Sequence, residues 1–211
     1  MGPLLDPSAD ELLNRAAAGD RTAVNELLTG HRDRLRQMVA IRMDPRLARR
    51  VDPSDVVQEA MTEASKRLPE YLKRRPIPFY PWLRQLAWNR LVDLYRFHVE
   101  GAKRAVGREA SFPVGLSDES VMSLGRRLVA SGTTPSRNVL RKELRQRVRD
   151  ALSQLPEHYR EVLVMRHLEQ LSIKEIAASA GVTEGTAKSR LFRGMEKLHH
   201  LLDDQSFGAN S

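Results

Sequence analysis

Apolar positions along the chain recur three and four residues apart, the helical spacing, and no stretch alternates convincingly like a strand. Ser8 can cap a short helix through Ala18, closed by Gly19. Asp20 can cap a longer one whose inner side is Ala23, Leu27, Leu28, Leu35, Met38, Val39 and Ile41, until Asp44-Pro45 interrupts it. Asp52-Pro53 then supplies an N-cap followed by proline at the first helical position, the favoured order. The next helix turns Val56, Val57, Ala60, Ala64 and Leu68 inward, and Pro69 marks its expected end. Residues 73–81 (KRRPIPFYP) hold too much proline for a helix or a central strand and read as a basic loop. Pro81 opens a further helix to about His98.

From Gly101 to Thr134 the periodicity fades and Gly, Ser and Pro become frequent, which reads as a linker with a transient helical piece at Val121–Ala130. Helical spacing returns over Ser136–Gln154, Pro156–Glu169, Ile173–Ala180 and Glu184–Leu202. The expected fold is therefore all-α: two small helical domains, 10–100 and 136–203, joined by a flexible linker at 101–135. Hydrophobic residues at 41% of 211 suffice for two packed interiors.

Charge adds a partner class. Lys and Arg outnumber Asp and Glu by 35 to 27, for a net +8, and such a surplus suits a polyanion. Residues 1–100 hold 17 basic and 14 acidic groups and residues 137–211 hold 13 and 10, so the excess is not stored in a disordered arm. The absence of cysteine excludes disulfides and Cys-based zinc sites. His199 and His200 lack a partner at metal-ligand spacing and read as solvated helix residues. No apolar run approaches the roughly 20 residues that cross a bilayer, and the N-terminus lacks a signal-peptide core. A cytoplasmic protein without membrane insertion is expected. With no nucleophile, paired acid and base, phosphate loop or metal constellation, neither catalysis nor a cofactor is expected.

Leu171–Leu198 carries the sharpest local signal. Ser172-Ile-Lys-Glu175 is a capping-box pattern. Gly181 follows Ala177 by four residues, where a tight turn between helices wants tolerance of positive φ. Val182 packs under the turn and Thr183 caps the second helix, in which Ala187, Leu191, Met195 and Leu198 form the inner stripe. Its outer side offers Glu184, Lys188, Ser189, Phe192 and Arg193, with Arg190 and Lys197 at the flanks. That is the layout of a helix-turn-helix whose second helix enters the major groove, although an ordinary amphipathic helix with a basic solvated side has the same composition.

The segment LPEHYREVLVMRHLEQLSIKEIAASAGVTEGTAKSRLFRGMEKL (Leu155–Leu198) resembles region 4 of the extracytoplasmic-function sigma factors, group IV of the sigma-70 family. By that resemblance Lys188, Ser189, Phe192 and Arg193 contact the −35 element, with Arg190 a candidate for phosphate. Two departures concern packing: Ala187 stands where the family has a larger aliphatic residue, and Gly194-Met195 where it favours Ala-Arg.

A helix-turn-helix also serves stand-alone repressors and activators, so the first hundred residues must arbitrate. Asp55, Gln58, Glu59 and Thr62 make a polar helical stripe that by itself reads as a wet face. DPSDVVQEAMTEASKRL (Asp52–Leu68) resembles sigma region 2.2, which implies that Asp55, Gln58 and Glu59 dock on the β′ clamp coiled coil of core RNA polymerase. Six of the chain's 11 aromatic residues fall within 79–97 (Phe79, Tyr80, Trp82, Trp88, Tyr95 and Phe97), with Arg84, Arg90 and Arg96 among them and Lys73, Arg74 and Arg75 just before. Cations that track phosphates beside rings that stack bases suit single-stranded DNA, though some of these rings must complete a core. PFYPWLRQLAWNRLVDLYR (Pro78–Arg96) resembles regions 2.3 and 2.4, which melt and read the −10 element. On that match Arg74–Pro78, including Arg75, forms a base-capturing loop, and Trp82, Arg84, Gln85 and Asn89 lie nearest the DNA. The resemblance implies a factor that binds core polymerase, at the β′ clamp and the β flap, and promoter DNA, both duplex and melted. An anti-sigma factor is a further candidate partner.

Overall fold

The computed structural model describes residues 7–100, 116, 118–129 and 138–207, and every element among them is helical. The chain divides into two compact units, Met1–Gly115 and Leu116–Ser211.

In the first unit, α1 spans Pro7–Ala17, so Ser8 lies inside its first turn and not at the cap. Gly19 ends this stretch at φ +92°, and Asp20 accepts from the amides of Thr22 (2.8 Å) and Ala23 (3.1 Å) to start α2, Arg21–Gly30. The single long helix expected from Asp20 onward divides at His31, after which α3 runs over Arg32–Arg42. The break has a local cause: Thr29 turns its hydroxyl back onto the Asn25 carbonyl (2.7 Å), and Gly30 is a poor helix former. Asp44 caps the short α4, Pro45–Ala48, and Asp52 caps α5, Pro53–Arg74, by accepting from the Ser54 amide at 2.7 Å.

Pro69 does not end α5, which continues one more turn to Arg74. A proline in a helix interior costs about 3 kcal/mol, and here burial of Leu68 and Tyr71 on either side offsets it while Pro69 itself faces out. The helix stops at Arg75, which takes a left-handed conformation (φ +40°) and returns its amide to the Tyr71 carbonyl at 2.7 Å. Helix α6, Phe79–Tyr95, begins two residues before Pro81, with Pro78 at the N-cap. Pro81 is tolerated because the first amides of a helix have no intrahelical acceptor. The chain then widens into a π turn over Arg96–Glu100.

Helices α5 and α6 pack along each other, α3 packs on both, and α1 rests on α2 and α5. Leu35, Met38, Val39, Val56, Val57, Ala64, Leu83, Ala87 and Leu91 fill the space between them. Each large aliphatic side chain so buried contributes roughly 1.5–3 kcal/mol. In the second unit α7, Asp118–Val129, occupies part of the stretch read as linker; Val121 and Leu124 are buried and the helix packs on α8, Asn138–Gln154. Apart from the buried Leu116, the remainder of 101–135 lies outside the described residues. Helices α9 (Glu157–His167), α10 (Ile173–Ala180) and α11 (Glu184–Phe207) complete the unit, with α11 against α8, α9 and α10.

Candidate nucleic-acid interface

The turn between α10 and α11 is built as its sequence requires. Ser172 and Glu175 form both arms of the capping box: the Ser172 amide donates to Glu175 Oε2 at 2.8 Å, and the Glu175 amide donates to Ser172 Oγ at 3.3 Å. Gly181 sits at φ +63°, a conformation a side chain would strain. Thr183 Oγ1 accepts from the Thr186 amide at 3.2 Å and so starts α11. Ala187, Gly194 and Leu198 are buried along one side of α11. Gly194 has a steric reason for its identity, since a Cβ there would lie 3.2 Å from Tyr159 Cβ and 3.5 Å from Leu163. The alanine that the resemblance leads one to expect would need Tyr159 to yield by a few tenths of an ångström.

The opposite side of α11 is open. Lys188, Ser189, Phe192 and Arg193 are exposed, Phe192 at 73% despite its apolar ring, and Arg190 is half-buried. Ser189, Arg190 and Arg193 line a groove of about 480 Å³ whose other wall is His158 and Tyr159 of α9, with Gly185 and Thr186 at the start of α11. Lys197 extends over the Tyr159 ring, 5.7 Å from its centroid. The α9 wall escaped the sequence reading because His158 and Tyr159 are distant along the chain and lie in no motif of the turn.

In the first unit the loop after α5 is held from both sides. The Tyr71 hydroxyl donates to the Ile77 carbonyl at 2.9 Å, and burial pushes its pKa up to about 12. The Trp82 ring stacks on Tyr71 with centroids 4.5 Å apart, and Phe79 lies 5.6 Å from each of those rings. Arg74 is exposed, whereas Arg75 is half-buried and donates to the Leu13 carbonyl of α1 at 3.1 Å. Along α6, Trp82 is half-buried, Gln85 and Asn89 are exposed, and Arg84 is 7% exposed. The arginine of this helix expected nearest the DNA is therefore inside.

The polar stripe of α5 is exposed at Asp55, Gln58 and Glu59. Arg32 donates to Gln58 Oε1 at 3.1 Å, Arg36 donates to Ser54 Oγ at 3.1 Å, and Arg90 of α6 pairs with Glu59. A groove of about 460 Å³ between α5 and α6 joins Gln58 and Glu59 to Asn89, Arg90 and Asp93. Two sets of residues assigned by resemblance to different partners thus share one depression.

Two family models match the chain: Sigma-70 region 2 over residues 27–99, and Sigma-70, region 4 over residues 145–198. The ECF RNA polymerase sigma-E factor of Escherichia coli strain K12 is 30% identical over 187 residues, covering 89% of this chain and 90% of that protein. The chain belongs to the ECF sigma factors. Another relative, the ECF RNA polymerase sigma factor SigW of Bacillus subtilis, is 27% identical over 192 residues, covering 91% of this chain and 95% of its own length. The structure of CnrH in complex with the cytosolic domain of CnrY superposes with a TM-score of 0.54 at 26% identity, over 97% of this chain and 99% of CnrH.

This sigma factor directs promoter-specific initiation by RNA polymerase, and its partners are core polymerase and promoter DNA. The region 2 match separates it from stand-alone helix-turn-helix regulators, which share only the second unit's motif. Sigma factors are non-catalytic initiation factors. Among the described residues no helix is long and apolar enough to cross a membrane.

Proposed function

We propose that this sigma factor recognises its promoter at two points, with residues 136–203 gripping duplex DNA at the −35 element and residues 10–100 holding melted −10 sequence, joined by 101–135. The observation that carries the reading is the division of α11: Ala187, Gly194 and Leu198 are inside while Lys188, Ser189, Phe192 and Arg193 stand in solvent. Lys188 and Arg193 reach base edges or phosphates, Ser189 bonds a base edge, Phe192 packs on a thymine methyl, and Arg190 supports the backbone from the groove wall. Tyr71 and Trp82 hold the loop at Arg74–Pro78 in place for an extruded base, with Arg74 on the phosphates and Gln85 and Asn89 along the strand. Arg75 and Arg84, tied down and buried, position those contacts from behind.

Asp55, Gln58 and Glu59 dock on the β′ clamp coiled coil, and the second unit engages the β flap. All bond making belongs to core polymerase, so the chain acts without catalysis or cofactor, in the cytoplasm where polymerase is. The likeness to CnrH, solved with the cytosolic domain of CnrY, supports a protein that sequesters this factor in the same manner, an anti-sigma factor.

Run-off transcription with core polymerase on a random promoter library tests the reading. Initiation at defined start points, with shared −35 and −10 sequences among the templates used, is the expected result. Tight site-specific binding by the free protein, with no initiation when core is added, would overturn it.

A further inference from the structure

The loop that follows α5 has one adjustable joint. After Arg75 the chain reads Pro76-Ile77-Pro78 before α6 begins. Both prolines fix their own φ, and Ile77, standing before a proline, is biased towards extended backbone. The Ile77 carbonyl is held besides by the Tyr71 hydroxyl at 2.9 Å. Arg75 also precedes a proline, yet it sits at φ +40° and ψ +56°, the left-handed region that a residue with a Cβ rarely holds. Its conformation sets the direction in which the loop leaves the helix. A conformation of this kind persists only where its surroundings impose it, and two bonds do so here. One is local, from the Arg75 amide to the Tyr71 carbonyl at 2.7 Å. The other is distant along the chain: the Arg75 guanidinium donates to the Leu13 carbonyl of α1 at 3.1 Å.

Helix α1 is a firm anchor for that second bond. Leu13 and Ala16 are buried, and the helix packs on α2 and α5. Arg15 near its end pairs at 2.6 Å with Asp20, the cap of α2. Burial is the main cause that raises the Tyr71 pKa; Arg75 opposes it and Asp10 of α1 adds to it, so both charges act on one phenol. The Sigma-70 region 2 match begins at residue 27, beyond α1, and no contact assigned above gives this helix a task. We propose that α1 is a clamp on the base-capturing loop, and that Arg75 is the positioning residue through which it acts. The Leu13 carbonyl keeps Arg75 left-handed, Arg75 aims Pro76 and Ile77, and the loop meets an extruded base in one shape. Neither α1 nor Arg75 touches that base. The clamp rests on the base-capture reading of Arg74–Pro78 above.

The test is base discrimination by the holoenzyme on pre-melted promoter DNA, obtained by run-off selection and carrying each of the four bases in turn at every unpaired −10 position. Wild type should prefer one base at the captured position. Arg75→Gly keeps the left-handed joint without strain and cuts the tether to α1. Its preference should fall about three- to tenfold, the range that one lost hydrogen bond represents, while the first unit's melting temperature holds within about 2 °C. Arg75→Lys, which keeps a donor, should retain most of the preference. Leu13→Ala loosens the seat of α1 and should lower the preference too. Added to Arg75→Gly it should lower it less than about twofold further, because both act on one contact. The ratio between bases does not depend on how much of a preparation is folded, so a destabilised variant still reports. An unchanged preference in Arg75→Gly overturns the clamp, as do independent effects of the two substitutions. A loss equal for all four bases overturns it as well, by putting Arg75 on the phosphates. A wild-type holoenzyme indifferent to the base at every unpaired position would instead sink the base-capture reading.

Discussion

On the proposed two-point reading, the two units solve different recognition problems with the same residue types placed differently. In the second unit two cations of α11 are free: Lys188 and Arg193 stand in solvent on a helix whose inner side is Ala187, Gly194 and Leu198. In the first unit cations and rings interlock. Arg34 covers Tyr80, Arg42 is buried 5.0 Å from the Trp88 ring centre, Arg46 holds Tyr95, and Tyr71 stacks on Trp82. Duplex DNA already displays its edges, so a reader needs exposed side chains that adapt to a groove. A melted strand has lost stacking, and on the proposed reading the half-buried Trp82, held rigid by the buried Tyr71 and Phe79, offers it a surface without ordering many loose groups on binding.

Removing the free cations should therefore have the largest effect on function with the least effect on folding. For Lys188→Ala/Arg193→Ala, two contacts of about 1–3 kcal/mol each are lost. Promoter-directed run-off transcription should fall by roughly 100-fold, while the melting temperature stays within about 2 °C, as is usual for surface substitutions. An unaffected transcript level would place recognition elsewhere than α11.

The aromatic set should respond in the opposite manner. Trp82→Ala removes the ring stacked on Tyr71, so it should lower permanganate reactivity of promoter thymines by about tenfold, at roughly 1–3 kcal/mol per stacked base. Binding to an isolated −35 duplex should change less than twofold. Tyr71→Phe sharpens the point, because it keeps the stack and loses only the bond to the Ile77 carbonyl. If it opens promoters as poorly as Trp82→Ala, loop anchoring and not stacking is the controlling feature.

The second unit's motif was legible because its determinants are local. A capping box needs residues three apart, and a left-handed turn needs glycine at one position; Ser172, Glu175 and Gly181 appear as read. Asp20 and Asp52 were legible caps for the same reason. Local rules failed where tertiary packing outweighed them. Pro69 reads as a stop, yet burial of Leu68 and Tyr71 carries α5 past it. Arg84 and Arg75 look like free cations in a basic stretch, but one turns into the core and the other reaches α1, 62 residues earlier. The wall that α9 lends to the α11 groove, and the close approach at Gly194, depend on a helix crossing that no spacing within α11 announces.

Stability should show the same contrast at smaller scale. Ser172→Ala breaks the capping box that starts α10, at about 1 kcal/mol. For a domain of this size that lowers the melting temperature by roughly 4–8 °C. The loss should fall on the transition of the second unit, followed by fluorine-labelled probes in each unit, and leave the first unit's transition in place. Coincident shifts in both transitions would mean that the units melt together.

Acid should weaken the first unit through its caps, with the smallest effect of the series. Hydrogen bonding from the Arg46 side chain holds the Asp44 carboxyl below its ordinary range, and hydrogen bonds from Ser54 do the same for Asp52. A carboxyl whose folded pKa is depressed contributes stability that is fully present above its unfolded value of about 3.9, and loses it as pH falls through the folded value. Lowering pH from 5 toward 3 should therefore reduce the first unit's melting temperature by an amount that Asp44→Asn diminishes, by no more than about 4 °C. Asp44 also grips Arg46, which in turn holds the Tyr95 hydroxyl. The same substitution should thus loosen α4 from the end of α6 and lower the first unit's melting temperature even at neutral pH. An unchanged neutral-pH melting temperature in a variant that has lost its acid response would show that Tyr95 alone keeps Arg46 in place.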